Sequence, residues 1–261
     1  MLQPLPPASP PRGQVPVEAV LFDTFGTVVD FYTPLRDAFA GFAASREATC
    51  DPGALAIEWR TAYLVCTATQ AMQDKPFRPL REMHRENLLA LLGTHFQDPV
   101  ADRDVDRLCD TWDRLTPWPD AVEGLERIRR RCIIAPLSNG NFADMVRLSR
   151  HAALPWDIIL GASVSGNYKP HPTTYLASVE ALALAPEQVC MVAAHQADLS
   201  FAAGHGMQTA FVPRPLEFGG KVKPAQPVEG ESYWDAAEIH PEGDWTYVAD
   251  DFIDLARQLA D

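Results

Sequence analysis

The sequence predicts an α/β fold, a Rossmann-like parallel sheet core with an inserted helical cap, and three observations predict it. Short apolar, β-branched runs alternate with amphipathic helical segments over the second half of the chain. One further apolar run, VEAVLF at residues 17–22, stands alone near the N-terminus. Between the two lies a long stretch, from Leu35 to about Leu115, with helical spacing and no convincing strand. The composition, 47% hydrophobic and 22% charged, suits a packed core and excludes a disordered or fibrous chain.

The opening segment, MLQPLPPASPPRGQVP, is dense in proline and reads as an extended, poorly ordered tail over residues 1–16. VEAVLF ends at Asp23, and a continuous apolar run of that length reads as a parallel strand buried on both faces. FGTVVDFYTP follows, with turn chemistry at Gly26 and Pro34. LRDAFAGFAA, ALAIEWRTAYLVCTAT and LREMHRENLLALLG then place apolar residues three and four apart, the pattern of amphipathic helices. These helices form the expected cap, residues 33–115, inserted into a core of residues 17–32 and 116–261.

After the insertion the alternation is regular. AVEGLERIRRR is helical, CIIAPLS is a strand ending at Ser138 and Asn139, and FADMVRLSRHA is helical again. WDIILGA, VCMVAA and QTAFV are strand-like, separated by the helices TTYLASVEALAL and DLSFAAGHG, the latter closed by glycine. Such βαβαβ order builds a parallel sheet covered by helices. Residues 214–244 are rich in Pro, Gly and charge and read as a long loop, and WTYVADDFIDLARQLA closes the chain as a strand and a helix.

Charge and cysteine content narrow the function. The 22 Lys and Arg against 35 Asp and Glu give a net charge of −13, which offers no footprint for a phosphate backbone and excludes nucleic acid as the expected partner. A small anionic substrate therefore needs cations placed locally. Cys50, Cys66, Cys109, Cys132 and Cys190 are odd in number, scattered and without a C-x-x-C pair, so they read as free thiols in a reducing cytosol. No apolar run approaches the roughly 18 residues of a membrane span. The N-terminus lacks the apolar stretch of a secretory signal, and a cytoplasmic location is expected. No H-x-H or H-E-x-x-H spacing suggests zinc.

In open parallel sheets, ligands bind beyond the carboxyl ends of the strands. The polar residues found just past the apolar runs are Asp23 and Thr27, Ser138 and Asn139, Lys169, and His195 with Asp198. Each has an ordinary reading by itself. Asp23 suits a turn or cap, Ser138 a turn, Lys169 a solvated surface, and Asp198 the cap of DLSFAAG. Together, in order at successive strand ends, they point to one site with Asp23 as a candidate covalent nucleophile. Lys169 at about 4 Å would contribute roughly 4 kcal/mol at an effective dielectric near 20, about three pKa units, enough to keep a partly buried Asp23 ionised. His171, between two prolines, reads as a loop residue, and His205, between two glycines, as a helix-end residue.

DTFGT at 23–27, PLSNGN at 136–141, YKPHPTTY at 168–175 and AAHQAD at 193–198 resemble the four motifs of the haloacid dehalogenase superfamily, over about residues 17–213. Within it the chain most resembles the type II L-2-haloacid dehalogenases. Phosphatases of the superfamily carry a second aspartate, a general acid that also helps organise magnesium, where this chain has Phe25. The resemblance implies that Asp23 attacks the halogen-bearing carbon of a small 2-haloacid, and that water then opens the aspartyl ester, with neither metal nor cofactor. It implies that Asp198 orients Lys169 and activates water, and that Thr27 and Tyr175 hold Asp23 and the substrate carboxylate. Ser138 and Thr24 are implied in substrate binding, and Asn139 and Arg60 in holding the halide. Arg60 also reads as a solvated helix arginine, and Trp59, Tyr63 and Leu64 around it as either pocket lining or ordinary packing. A homodimer is implied by analogy, with residues 214–244 as a candidate interface.

The resemblance breaks at Ala193, Ala194 and His195, where the dehalogenases carry a Ser-Ser-Asn stretch. A serine's support of Lys169 and Asp198 is lost. His195 is expected either as a neutral donor in place of the amide or as a cation between Asp23 and Asp198. The altered loop suggests a smaller or more cationic pocket, suited to haloacetates, fluoroacetate included. Two alternatives remain: a magnesium-dependent phosphatase of the same superfamily acting on a small phosphometabolite, and a fold relative that binds a ligand with little turnover.

Overall fold

Strand β1, Ala19–Phe22, is buried at every residue, and the molecule is arranged around it. In the computed structural model, which describes residues 15–73, 75–226 and 233–260, β1 is followed by a two-residue strand β2, Val29–Asp30. Residues 1–14 of the predicted tail lie outside the described residues. Four helices come next: α1, Tyr32–Ala44; α2, Pro52–Met72; α3, Leu80–His95; and α4, Asp102–Cys109. Strand β3, Thr116–Pro117, returns antiparallel to β2, so the chain leaves and re-enters the sheet side through one small ladder. That ladder was not readable beforehand, since two residues carry no periodicity.

The remaining elements alternate as expected. Helix α5, Ala121–Arg129, leads to β4, Ile133–Ser138, and α6, Phe142–Ala152, to β5, Leu160–Gly161. The short helix α7, Ala162–Ser165, and α8, Pro172–Glu180, precede β6, Val189–Ala193. Helix α9, Gln196–Gly204, leads to β7, Gln208–Phe211, and the chain closes with β8, Tyr247–Val248, and α10, Phe252–Gln258. These strands form one sheet of order β5-β4-β1-β6-β7-β8, parallel at every pairing.

Alternation along the strands divides the core in two. Val20, Phe22, Ile134, Cys190 and Val192 pack on one face with α5, α10 and the helices of the 32–109 stretch. Ala19, Leu21, Ala135, Leu137 and Met191 pack on the other with α8 and α9. A parallel sheet covered on both faces needs apolar residues at consecutive positions, which is why its strands read as unbroken runs. Residues 214–226 and 233–244 form the expected long connection, joined by a bridge between Val222 and Ala237 and by ion pairs of Lys221 with Asp235 and of Lys223 with Glu242. Among the described residues no helix is long and apolar enough to cross a membrane.

Candidate active site

The carboxyl edge of the sheet gathers the site. Asp23 follows β1 directly, and its amide still donates to Val192 of the neighbouring strand at 2.9 Å, so the ladder itself fixes the residue. The residue is 8% exposed, and its side chain is engaged at both oxygens. Oδ1 accepts from Lys169 Nζ at 2.8 Å, while Oδ2 accepts from Thr27 Oγ1 at 2.7 Å and faces His195 Nδ1 at 2.9 Å. Lys169 Nζ also reaches Asp198 Oδ2 at 2.5 Å, and so lies between the two carboxylates. The separation expected from sequence was larger, and the closer approach strengthens the same electrostatic effect.

Local structure explains these placements. Asp198 lies in the first turn of α9, where helix-end amides favour negative charge, while His195 occupies the cap position. The ordinary reading of Asp198 as a helix cap does not apply, because its side chain turns to Lys169 and Tyr175. His205 ends α9, as its setting suggested, while His171, read as a loop residue, caps α8 and accepts from the Thr173 amide. Thr27 is held by the Ala194 amide, which donates to its Oγ1 at 3.0 Å. Asn139 Oδ1 accepts from the Lys169 amide at 2.8 Å, fixing the lysine loop to the end of β4. Ser138 Oγ accepts from the Gly140 amide at 3.1 Å.

Two predicted contacts differ. The Tyr175 hydroxyl donates to Asp198 Oδ1 at 2.6 Å, not to Asp23, because α8 packs so that its phenol faces the start of α9. His195 lies between Asp23 and Glu217, not between Asp23 and Asp198: Nε2 faces Glu217 Oε1 at 2.8 Å. Glu217 was missed in the sequence. It comes from the segment just beyond β7, and the strand-end rule that found the other residues applies there too.

The charges follow from these contacts. Burial alone would raise the Asp23 carboxyl, but Lys169 and His195 overcome it and hold it far below the usual carboxylate range. Burial works against the Lys169 ammonium, and Asp198 and Asp23 reverse this and raise it. His195 loses hydration as well, yet Glu217 and Asp23 push its imidazole up to about 10. Asp198 is raised by burial, with Asp23 adding to it against the opposing Lys169. Burial and the neighbouring Asp198 raise Tyr175, so it remains a donor.

The opposite wall comes from α2, α3 and the turn carrying Trp112. Arg60 is 4% exposed, and its Nε and Nη1 have no hydrogen-bond partner among the described residues. Its guanidinium lies over the rings of Tyr63 at 4.7 Å and Phe31 at 5.2 Å. Tyr63 joins the two walls: burial raises its hydroxyl, which feels the charges of Arg60 and Lys169 and that of Asp23. Phe25 packs edge-on against Tyr63 and Trp112, with centroids 6.0 and 5.4 Å away. Thr24 Oγ1, Trp112 Nε1 and both His84 nitrogens are likewise buried without partners. Burial, with Arg60 and Arg81 nearby, lowers His84 to about 3. Trp59 is core, donating to the His84 carbonyl at 3.1 Å. Buried donors without acceptors are costly, and a cationic one is a seat for an anion.

Asp23 and Asp198 are the carboxylates that would hold a magnesium ion. The Lys169 ammonium stands between them, and the position of a third carboxylate is the apolar Phe25. The residues present therefore do not fit that ion.

A buried strand-end carboxylate flanked by a lysine and a second carboxylate defines a hydrolase site with a covalent nucleophile. The haloacid dehalogenase-like hydrolase family model matches residues 17–206, and the chain belongs to that family. A curated (S)-2-haloacid dehalogenase 4A of Burkholderia cepacia is 29% identical over 204 residues, 76% of this chain and 84% of that protein. A defluorinating L-2-haloacid dehalogenase of known crystal structure is 40% identical, with a TM-score of 0.84 over 94% of this chain and 96% of its own. Another L-2-haloacid dehalogenase structure is 38% identical, with a TM-score of 0.81 over 94% and 99%.

Proposed function

We propose that the chain hydrolyses the carbon–halogen bond of small 2-haloacids, haloacetates above all, through an aspartyl ester at Asp23. An ionised carboxylate oxygen offers about two lone pairs. Oδ2 of Asp23 meets two donors and Oδ1 only one, so Oδ1 is the attacking atom. Attack forms the Oδ1–carbon bond and expels halide toward Arg60 and Asn139, while Ser138 and Thr24 receive the substrate carboxylate. Water then adds to the Asp23 carboxyl carbon, with Asp198 taking its proton and Tyr175 and Lys169 fixing Asp198.

The observation that carries this reading is Lys169 Nζ lodged between Asp23 and Asp198 beside an apolar Phe25. The apolar Phe25, where the phosphatases carry a second aspartate, supports displacement at carbon rather than magnesium-assisted phosphoryl transfer. The rings of Phe25, Tyr63, His84 and Trp112 crowd the wall around Arg60 and favour small acids. The reading includes residues 33–115 as a cap over the site and a cytoplasmic protein, supported by five free cysteines. It also includes a homodimer through residues 214–244, supported by the exposed Leu216 and Trp234.

Halide and phosphate release, assayed in parallel with and without EDTA, tests the reaction. Halide is expected from haloacetates faster than from 2-halopropionates, unaffected by EDTA. Phosphate release abolished by EDTA supports a phosphatase instead, and silence on both panels supports a binding protein. Sedimentation across protein concentrations tests the dimer.

A further inference from the structure

Glu217 has no part in the chemistry above and lies outside the residues that the family model matches, yet it is only 1% exposed. Its amide donates to the Arg214 carbonyl at 3.0 Å. Arg214 is in turn clamped by both oxygens of Asp120 and donates to the Thr27 carbonyl at 2.8 Å. The loop after the nucleophile gives way to it. Gly26 has φ +91°, and a Cβ there would stand 2.1 Å from Glu217 Oε1.

We propose that Glu217 is a positioning residue that keeps both nitrogens of His195 protonated, so that Nδ1 and the Thr27 hydroxyl together form the oxyanion hole for opening the aspartyl ester. The inference rests on the dehalogenase reading and adds a residue to its second half-reaction. Ionised carboxylates only accept. An imidazole facing one carboxylate through Nδ1 and another through Nε2 therefore donates at both. With Oδ1 bonded to the substrate carbon, Oδ2 is the ester carbonyl oxygen, and it already meets Thr27 at 2.7 Å and His195 at 2.9 Å. When water adds to the carboxyl carbon, the negative charge lands on Oδ2 between these two donors. Collapse breaks the carbon–Oδ1 bond. Of the water's two protons, one ends on the product hydroxyl and one is released as Asp23 ionises again.

Esterification removes the Asp23 charge, so during this step Glu217 alone faces the imidazole with negative charge. The other charged groups nearby are engaged elsewhere. Lys169 and Asp198 pair with each other, Glu238 accepts from the Gln196 amide, and Arg214 pairs with Asp120.

Rapid-quench turnover of a haloacetate separates the steps: halide release reports ester formation, and protein mass spectrometry reports ester decay. In the wild type, ester decay is expected to be level from about pH 6 to 9. In Glu217→Gln, His195 reverts toward ordinary histidine titration, and decay should slow by about 10²-fold across that range while the ester accumulates. His195→Asn, with an amide that does not titrate, should decay slowly but levelly, and adding Glu217→Gln to it should restore no pH dependence. Nitrogen NMR of the wild-type imidazole at about pH 8 gives a measurement free of folding effects, with both ring nitrogens protonated as the expected result. A neutral imidazole there, or a wild-type pH profile for ester decay in Glu217→Gln, overturns the assignment alone. A wild type that releases halide without ever forming an ester overturns the dehalogenase mechanism and this inference with it.

Discussion

The two walls of the site treat charge in opposite ways. On the sheet edge every charged group is matched before any substrate arrives: Asp23 with Lys169 and His195, Asp198 with Lys169 and Tyr175, and His195 with Glu217. On the helical wall the buried Nε and Nη1 of Arg60, the His84 ring nitrogens and Trp112 Nε1 have no partner among the described residues. The first wall is built to hold a reactive carboxylate ionised inside the protein. The second carries a standing desolvation cost that an anion beside Arg60 relieves.

Four measurements break or sharpen that contrast. Asp23→Asn keeps the shape of the matched wall but removes its nucleophile, and halide release should fall by at least about 10⁴-fold with the circular dichroism spectrum unchanged. Lys169→Met leaves Asp198 without a cation among the described residues and Asp23 with His195 as its remaining one. It should abolish turnover and lower unfolding stability by about 3–5 kcal/mol in denaturant titrations. Arg60→Met should lower kcat/KM by about 10²–10³-fold, yet its melting temperature should hold or rise, because an unmatched charge is removed. If both substitutions destabilise equally, the contrast between the walls fails.

The smallest effect is in the pH dependence of stability. His195 has its folded value raised to about 10, so its contribution is complete below the ordinary 6.5 and is lost as pH rises through about 10. Asp23 is lowered, so its contribution is present above its ordinary 3.8 and is lost on acidification. Denaturant unfolding should therefore show the wild type losing stability relative to His195→Asn from about pH 6.5 to about 10, and little change in that difference below about pH 5.5.

Much of the sheet-edge wall was legible in the sequence because one rule governs it. Apolar runs end where a parallel sheet presents its carboxyl edge, and Asp23, Ser138, Asn139 and His195 follow such runs directly. Glu217 was overlooked although β7 ends at Phe211 on the same edge, since a run of Pro, Gly and charge reads as connection rather than machinery. The direction of Tyr175 was also unreadable, because helix packing decides which carboxylate its hydroxyl meets. On the helical wall, spacing gave the helices but not the roles of their residues. The same periodicity fits Trp59, which is core, and Arg60, which is an unmatched cation. Trp112 and His84 carried no signal at all, for each acquires its setting only from partners distant in the chain.

The left-handed turn at Gly26 ties two distant positions into one unit of variation. A side chain introduced at 26 collides with the Glu217 carboxylate, and a smaller residue at 217 removes that collision and leaves the strain of the positive φ, which Asn or Asp tolerates best. Libraries that reshape this pocket one site at a time will find 26 immutable and 217 merely damaging. Randomising the two together gives access to combinations that neither single scan contains.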